Sequence, residues 1–276
     1  MIRLMPSTLA GNAIAQLATY QQAVLNAGDY TAQVAEAKRR FGQYNTLNNT
    51  TFQEVKIRLT EMCVGSRRCN YCEDSVADEV EHIAPKDLYP ERVFLWENYC
   101  YTCGPCNGPK SNRYAVFRAD QNGTFYKIPA HPRAQPGQPY QLTPPPPGLE
   151  ALIDPRKENP LDFLLLDIAG GFQFSEFADS GTTDYKRASY TIDLLRLNVR
   201  ADLIKARRIA YTNFLARLRE YIHERDSGMS QSHLDTLQQN LRDENHQTVW
   251  QEMVRQYQTI PVLTTLFGQA SEALSW

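Results

Sequence analysis

Several features that define other protein classes are missing from this 276-residue sequence. It contains no long run of uncharged apolar residues, which excludes an ordinary membrane-spanning helix. The first residues, Met1-Ile2-Arg3-Leu4-Met5-Pro6, contain no continuous apolar segment followed by a small-residue cleavage site, so we expect no secretion signal and a cytoplasmic protein. The sequence also has no internal repeat and no glycine-rich loop of the kind that holds phosphates.

A strong charge of one sign is missing as well. The 29 lysine and arginine residues nearly balance the 31 aspartate and glutamate residues, and the formal net charge is -2. Proteins that bind nucleic acid unaided are usually strongly basic. Any contact with nucleic acid therefore has to come from a local patch or from a partner protein. Candidate patches are Lys38-Arg39-Arg40, Arg67-Arg68 and Arg207-Arg208, although a solvated helix face is the simpler explanation for the first and third.

Cysteine is scarce, but its spacing is informative. In a reducing compartment disulfides are rare, so clustered cysteines indicate metal ligation. Four of the six cysteines form two C-x-x-C pairs, Cys69 with Cys72 and Cys103 with Cys106, which is the pattern of a structural zinc site. The alternative is four unrelated buried cysteines. Cys63 and Cys100 are left over, and we predict that both are small buried apolar residues, with Cys63 a possible spare ligand.

The remaining pattern predicts a mostly helical α+β fold with four parts. These are an N-terminal helical segment (1–54), a metal-stapled core (55–117), a hairpin with a proline-rich connection (118–150) and a mainly helical C-terminal region (151–276). Helical periodicity predicts two helices in residues 8–42 and further helices from residue 184 onward. Asp120-Gln121-Asn122-Gly123 predicts a hairpin turn, and residues 163–174 predict a short two-stranded element. We expect the apolar segment 260–267 to pack in the core, with docking on a partner as the alternative.

The loop between the cysteine pairs contains residues suited to hydrolysis. A metal that closes this loop would bring His82, Asn98 and Asn107 together although they are far apart in sequence. A histidine beside a carboxylate, here Glu81, together with a carboxamide, is the set of groups that metal-assisted phosphodiester cleavage requires. The structural alternatives are a core histidine bonded to a carbonyl and asparagines that cap turns.

This stretch resembles the HNH endonuclease motif, also called the ββα-metal fold. The resemblance rests on Glu81-His82, Asn98 and the C-x-x-C-N-x-x-K run that ends in Asn107 and Lys110. It implies that His82 is the general base, that Asn98 holds its ring and that Glu81 and Asn107 bind the catalytic divalent ion. Lys110 would contact a phosphate, or would be a surface charge.

Two positions depart from the usual motif. The family often has Asp where this chain has Glu81, and His where it has Asn107. Both residues offer oxygen ligands, which favours Mg²⁺ or Mn²⁺ over zinc as the catalytic ion. The nearby carboxylates Asp78 and Glu79 are alternative ligands in place of Glu81.

The wider pattern is similar to the PtuB nuclease subunits of Septu and retron-associated defence systems. It consists of Cys69-Asn70-Tyr71-Cys72-Glu73, Glu81-His82-Ile83-x-Pro85-Lys86, Tyr89-Pro90, Trp96-x-Asn98, Cys103-x-x-Cys106-Asn107-x-x-Lys110, Ile153-Asp154-Pro155-Arg156, Tyr190-Thr191-Ile192-Asp193 and Leu197-Asn198. The resemblance implies an antiviral nuclease with a PtuA-like ATPase of the SMC/ABC type as partner. DNA is the favoured substrate, but the sequence leaves the choice between DNA and RNA open. The alternatives are a stand-alone HNH nuclease for restriction or DNA processing and a non-catalytic zinc-stapled binding module.

Overall fold

The computed structural model describes residues 1–132 and 140–276. It has an α+β fold, as predicted: about half of the chain is helical, and the strands are short. Part of the predicted proline-rich connection, including Pro136 and Pro139, lies outside the described residues. Among the described residues, no helix is both long and apolar enough to cross a membrane.

The chain divides into two compact units, each assembled from separate segments. The cleft unit consists of Leu4–Met62 and Ala77–Glu158, and the helical unit consists of Met1–Arg3, Cys63–Val76 and Asn159–Trp276. The four-part division inferred from sequence remains a prediction about domain boundaries.

The cleft unit begins with three helices and continues with short strands around one small helix. Its elements are α1 (Gly11–Leu25), α2 (Tyr30–Tyr44), α3 (Thr50–Glu61), β1 (Glu79–His82), β2 (Tyr99–Thr102), α4 (Gly104–Lys110), β3 (Ala115–Arg118), β4 (Thr124–Lys127) and β5 (Gly148–Glu150). The strands β1 and β2 form an antiparallel pair, and β3 lies between β4 and β5 in a second sheet.

The first two helices confirm the predicted helical pair in residues 8–42. Asp29 caps α2 by accepting a hydrogen bond from the Ala32 amide at 2.9 Å, and Asn49 caps α3 in the same way. The buried faces of these helices meet in an aromatic cluster, in which the rings of Phe41 and Phe52 lie 5.7 Å apart. Phe52 also lies 6.1 Å from Tyr99 of β2, so the helices pack directly on the first sheet.

The predicted hairpin turn joins β3 and β4. Asn122 and Gly123 have φ angles of 50° and 72°, the left-handed region that asparagine and glycine tolerate best. The third strand, β5, was not predicted, because its residues follow a proline-rich segment and carry no alternating pattern. It pairs with β3 through the register Phe117 with Leu149.

The helical unit contains one two-stranded sheet and five helices in its described residues. They are β6 (Leu164–Leu166), β7 (Phe174–Glu176), α5 (Thr183–Leu194), α6 (Ala201–Asp226), α7 (Gln231–Arg242), α8 (Gln247–Gln256) and α9 (Pro261–Gln269). The sheet confirms the predicted two-stranded element, and Gly228, with φ 78°, directly follows the C-cap of α6.

The apolar segment 260–267 packs in the core of the helical unit. Leu263 and Phe267 of α9 are almost fully buried, and the Phe267 ring lies 5.5 Å from Trp250 of α8. Core packing, the first of the two interpretations of this segment, is therefore confirmed.

Candidate functional site

Each C-x-x-C pair closes a tight turn through backbone hydrogen bonds. In the first pair, the Glu73 amide donates to the Cys69 carbonyl at 2.8 Å, and Glu73 has a positive φ of 62°. In the second pair, the amides of Cys106 and Asn107 donate to the Cys103 carbonyl at 3.0 and 2.9 Å as α4 begins. These turns place the two thiols of each pair on one side of the backbone.

The four thiols form a cage of the size that zinc requires. The Sγ atoms of Cys69, Cys72, Cys103 and Cys106 all lie within 4.8 Å of one another, and all four residues are buried. Tetrahedral zinc with Zn–S bonds of about 2.3 Å separates its sulfur ligands by about 3.8 Å, which fits this cage. The residues therefore could hold a structural zinc ion. Cys63 and Cys100 are buried outside this cluster, as predicted.

A cleft of about 590 Å³ lies in the cleft unit beside β1 and α4. It is lined by Phe41, Asn45, Lys56, Asp78, Glu79, Val80, Glu81, His82, Pro85, Lys86, Gly104, Asn107, Gly108, Ser111 and Asn112. Three of the predicted site residues, Glu81, His82 and Asn107, are therefore on one concave surface. The cleft also contains carboxylates, amides and two lysines, a mixture that suits a charged ligand better than an apolar one.

His82 ends β1 and is held in one orientation by its neighbours. Its ring lies 4.4 Å from that of Phe41, and its Nε2 atom is 2.9 Å from the Val93 carbonyl. Because a carbonyl can only accept, Nε2 is the protonated nitrogen and Nδ1 is the basic one. Burial and then the charge of Lys86 lower the pKa of His82 to about 3, so the ring is neutral at physiological pH.

Asn98 fixes the backbone that follows His82. Its Oδ1 accepts a hydrogen bond from the Ala84 amide at 2.8 Å, and its Nδ2 donates to the Ala84 and Arg92 carbonyls at 3.0 Å each. The Asn98 carbonyl also accepts from the Ile83 amide at 2.9 Å. Asn98 thus holds the main chain at Ile83 and Ala84, directly after His82, and at Arg92, directly before the Val93 carbonyl that His82 contacts.

Arg156, in the Ile153-Asp154-Pro155-Arg156 motif, supports the same loop. It donates to the carbonyls of Trp96 and Tyr99 at 2.7 and 2.8 Å and stacks 4.4 Å from the Trp96 ring. Two main-chain acceptors on either side of Asn98 are thereby fixed by one guanidinium. No local pattern in the sequence indicated this contact, because the two segments are about sixty residues apart.

Glu81 and Lys110 form a buried ion pair beneath the cleft. The Lys110 ammonium group contacts Glu81 Oε1 and donates to the His82 carbonyl at 2.8 Å. The Lys110 side chain has no exposed surface, and that of Glu81 is 8% exposed. Burial raises the pKa of Glu81, and the adjacent Lys110 charge opposes that rise. Lys110 was predicted to contact a phosphate, with a plain surface charge as the alternative. Its side chain is instead a buried partner of β1 with no exposed surface.

Glu79 and Asn107 form a second pair nearer the mouth of the cleft. The Asn107 side-chain amide donates to Glu79 Oε2, and both residues are partly exposed. Sequence reasoning kept Glu79 only as an alternative ligand. Its contact with Asn107 depends on the position of α4 against β1, which spacing alone does not give.

One segment of this chain has a known counterpart. It is similar to the Septu protein PtuB. The identity with PtuB of Bacillus thuringiensis is 43% over 61 residues, which cover 20% of this chain and 23% of that protein. No family model matches the chain, and no solved structure matches it. The similarity to PtuB supports a relationship across a limited segment.

Two lysines in the cleft were not assigned a role from the sequence. Lys56 of α3 lines the cleft, and burial lowers its pKa. Lys86 also lines the cleft, and its ammonium group lies 5.5 Å from the Phe41 ring centre. Lys86 belongs to the sequence pattern that resembles the PtuB subunits, but Lys56 lies before Cys69, where that pattern begins, and no sequence signal singled it out.

Proposed function

We propose that this chain is a divalent-metal-dependent HNH endonuclease that hydrolyses phosphodiester bonds of nucleic acid, with DNA as the favoured substrate. The observation that carries the proposal is the position of a neutral, oriented His82 in a cleft that also contains Asn107 and carboxylates of β1. The similarity to PtuB agrees with it.

His82 is the general base in this proposal. Its Nε2 atom is engaged by the Val93 carbonyl, so Nδ1 accepts the proton from the attacking water. Asn98 keeps the ring in place by bonding the backbone at Ala84 and Arg92. A low pKa makes His82 a weak base, but it guarantees the unprotonated form at neutral pH.

The oxygen donors of the cleft fit a hard divalent cation. Asn107 and a carboxylate of β1 would hold Mg²⁺ or Mn²⁺, for which amide and carboxylate oxygens are preferred ligands. Such an ion supplies stabilisation of the negative charge on the phosphate and on the departing 3′ oxygen. Lys56 and Lys86 are placed to attract the flanking phosphates into the cleft.

The test of the reaction is cleavage of supercoiled plasmid DNA and of total RNA by the purified chain with Mn²⁺ or Mg²⁺. We expect nicked or linear DNA, and no cleavage when a chelator removes the divalent ion. If the folded, zinc-bound protein cleaves neither nucleic acid, alone or with its partner, the proposal is contradicted and a binding module is favoured.

We further propose that the chain is the effector subunit of a Septu-like antiviral complex with a PtuA-like ATPase of the SMC/ABC type. The similarity to PtuB and the near-neutral charge of the chain support this role, because a partner could supply the grip on nucleic acid. Expression of the native operon with a tag on this chain tests it. An ATPase that co-purifies in fixed stoichiometry is expected, whereas a monodisperse chain without one would count against the complex.

A further inference from the structure

Two side-chain couples join β1 to α4. Glu79 contacts Asn107, and Glu81 contacts Lys110. Glu79 and Glu81 are two residues apart on a strand, and Asn107 and Lys110 are three apart on a helix, so each pair of neighbours shares a face. The carboxylates of Glu79 and Glu81 are therefore alternative ligands for a metal ion on this face, and their surroundings differ.

The surroundings of Glu81 oppose a metal ion. A divalent cation at its carboxylate would lie beside the ammonium group of Lys110, which is already in contact with Oε1. Lys110 is in turn fixed by the His82 carbonyl at 2.8 Å and has no exposed surface to move into. Because like charges at short range in a buried site repel strongly, Lys110 would have to be displaced before a cation could bind there.

The surroundings of Glu79 favour a metal ion. The Glu79 carboxylate is partly exposed in the cleft. Its contact with Asn107 uses the amide nitrogen of Asn107, so the amide oxygen remains available as a metal ligand. Gly104 permits this position: a Cβ atom there would lie 3.3 Å from Glu79 Oε1, tighter than an ordinary contact. The register of β1 with β2 sets Glu79 opposite Thr102, immediately before the second cysteine pair.

We infer that Glu79, together with Asn107, binds the catalytic divalent ion, and that Glu81 with Lys110 is a buried structural pair that positions β1 against α4. This assignment rests on the proposed nuclease function and refines it. It departs from the HNH pattern, in which the residue directly before the histidine is the ligand.

The test is a titration of the zinc-loaded full chain with Mn²⁺, in which free Mn²⁺ is measured by electron paramagnetic resonance. We expect Glu79→Gln to weaken Mn²⁺ binding at least about tenfold, since even outer-shell partners of a metal change affinity by about 10- to 100-fold. Glu91→Gln removes an exposed carboxylate outside the cleft lining and serves as the charge control, with an expected change within about threefold for a solvent-screened charge.

The role of Glu81 is tested in a variant that leaves no unpaired charge at the buried Glu81–Lys110 site. Glu81→Gln alone leaves the buried Lys110 ammonium unpaired, so the double variant Glu81→Gln/Lys110→Met is used with it. We expect the double variant, once circular dichroism and zinc content confirm its fold, to bind Mn²⁺ within about threefold of wild type. Loss of binding there with retention in Glu79→Gln would overturn the assignment and leave the nuclease proposal intact. Wild-type protein that binds no Mn²⁺ would overturn the assignment, and DNA cleavage is then the separate test of the function.

Discussion

Asn98 shows how much of the site depends on one buried amide. Its side chain satisfies the Ala84 amide and the carbonyls of Ala84 and Arg92, and it is 7% exposed. An asparagine at this position follows from this need for one acceptor and two donors, whatever the reaction. We therefore expect Asn98 to position the backbone beside His82, and the free energy of unfolding can measure this contribution without an activity assay.

We predict that Asn98→Ala destabilises the fold by about 2 to 4 kcal/mol, because it leaves buried backbone groups without partners. Asn98→Asp keeps the acceptor but loses both donors and is expected to be at least as harmful. Urea unfolding checks this, with the exposed Asn12→Ala as control, for which a change within about 0.5 kcal/mol is expected. An Asn98→Ala chain as stable as wild type would contradict the role.

His82 makes stability depend on pH in a defined direction. Burial and the charges of Lys86 and Lys110 lower its pKa from 6.5 to about 3, so between these values the unfolded chain binds the proton and the folded chain does not. Stability from this residue is therefore complete above pH 6.5 and is lost as the pH falls toward 3. We predict that His82→Gln flattens the pH dependence of the unfolding free energy by about 1 kcal/mol per pH unit between pH 5 and 6. Equal slopes for both proteins would contradict the buried, neutral histidine.

At the scale of elements, the two cysteine turns and the β1–β2–α4 segment form the framework of the site. The turns are fixed by backbone bonds to Cys69 and Cys103, but turns this short are stable only when something links their side chains. A zinc ion held by the four-thiol cage would supply that link.

We predict that Cys72→Ser lowers bound zinc from about one equivalent per chain to a small fraction and costs at least about 3 kcal/mol of stability. For a chain of this size the midpoint of thermal unfolding should fall by about 6 to 12 °C. Elemental analysis and thermal unfolding measure the two effects, and Cys100→Ala, which removes a buried thiol outside the cage, should keep its zinc. Folded wild-type protein without zinc would refute the site.

Local patterns predicted the elements well and the contacts between them poorly. The long amphipathic helices, the turn at Asn122-Gly123 and the cysteine pairs each carry their signal within a few residues. The Glu81–Lys110 and Arg156–Trp96 contacts join residues 29 and 60 positions apart, so no periodicity reveals them. The same reason explains why Lys56 was missed and why Glu79 ranked below Glu81.

For the whole molecule, the net charge limits how strongly the protein attracts nucleic acid. The net charge is -2, so attraction to nucleic acid depends on where the cations lie. Lys56 and Lys86 both line the cleft that contains His82, although they belong to segments thirty residues apart. A local positive region can therefore form at the site of a chain that is slightly acidic.

We predict that Lys56→Gln/Lys86→Gln weakens binding to duplex DNA and reduces the salt dependence of the binding constant. Each lost phosphate contact should lower the slope of log K against log salt by about 0.9. Fluorescence anisotropy with Ca²⁺ in place of a catalytic ion measures this, and the exposed Lys127→Gln is the matched control outside the cleft. Slopes that do not differ between the double variant and the control would exclude both lysines from the contact.

We propose that the cleft hydrolyses phosphodiester bonds with His82 as the base, and single-turnover cleavage of plasmid DNA with Mn²⁺ is the decisive measurement. We predict that His82→Ala and His82→Gln, each with full zinc content and native circular dichroism, cleave at least about 100-fold more slowly than wild type. His223→Ala, a change to an exposed histidine of α6, should cleave at the wild-type rate. Wild-type rates in both folded His82 variants would contradict the claim.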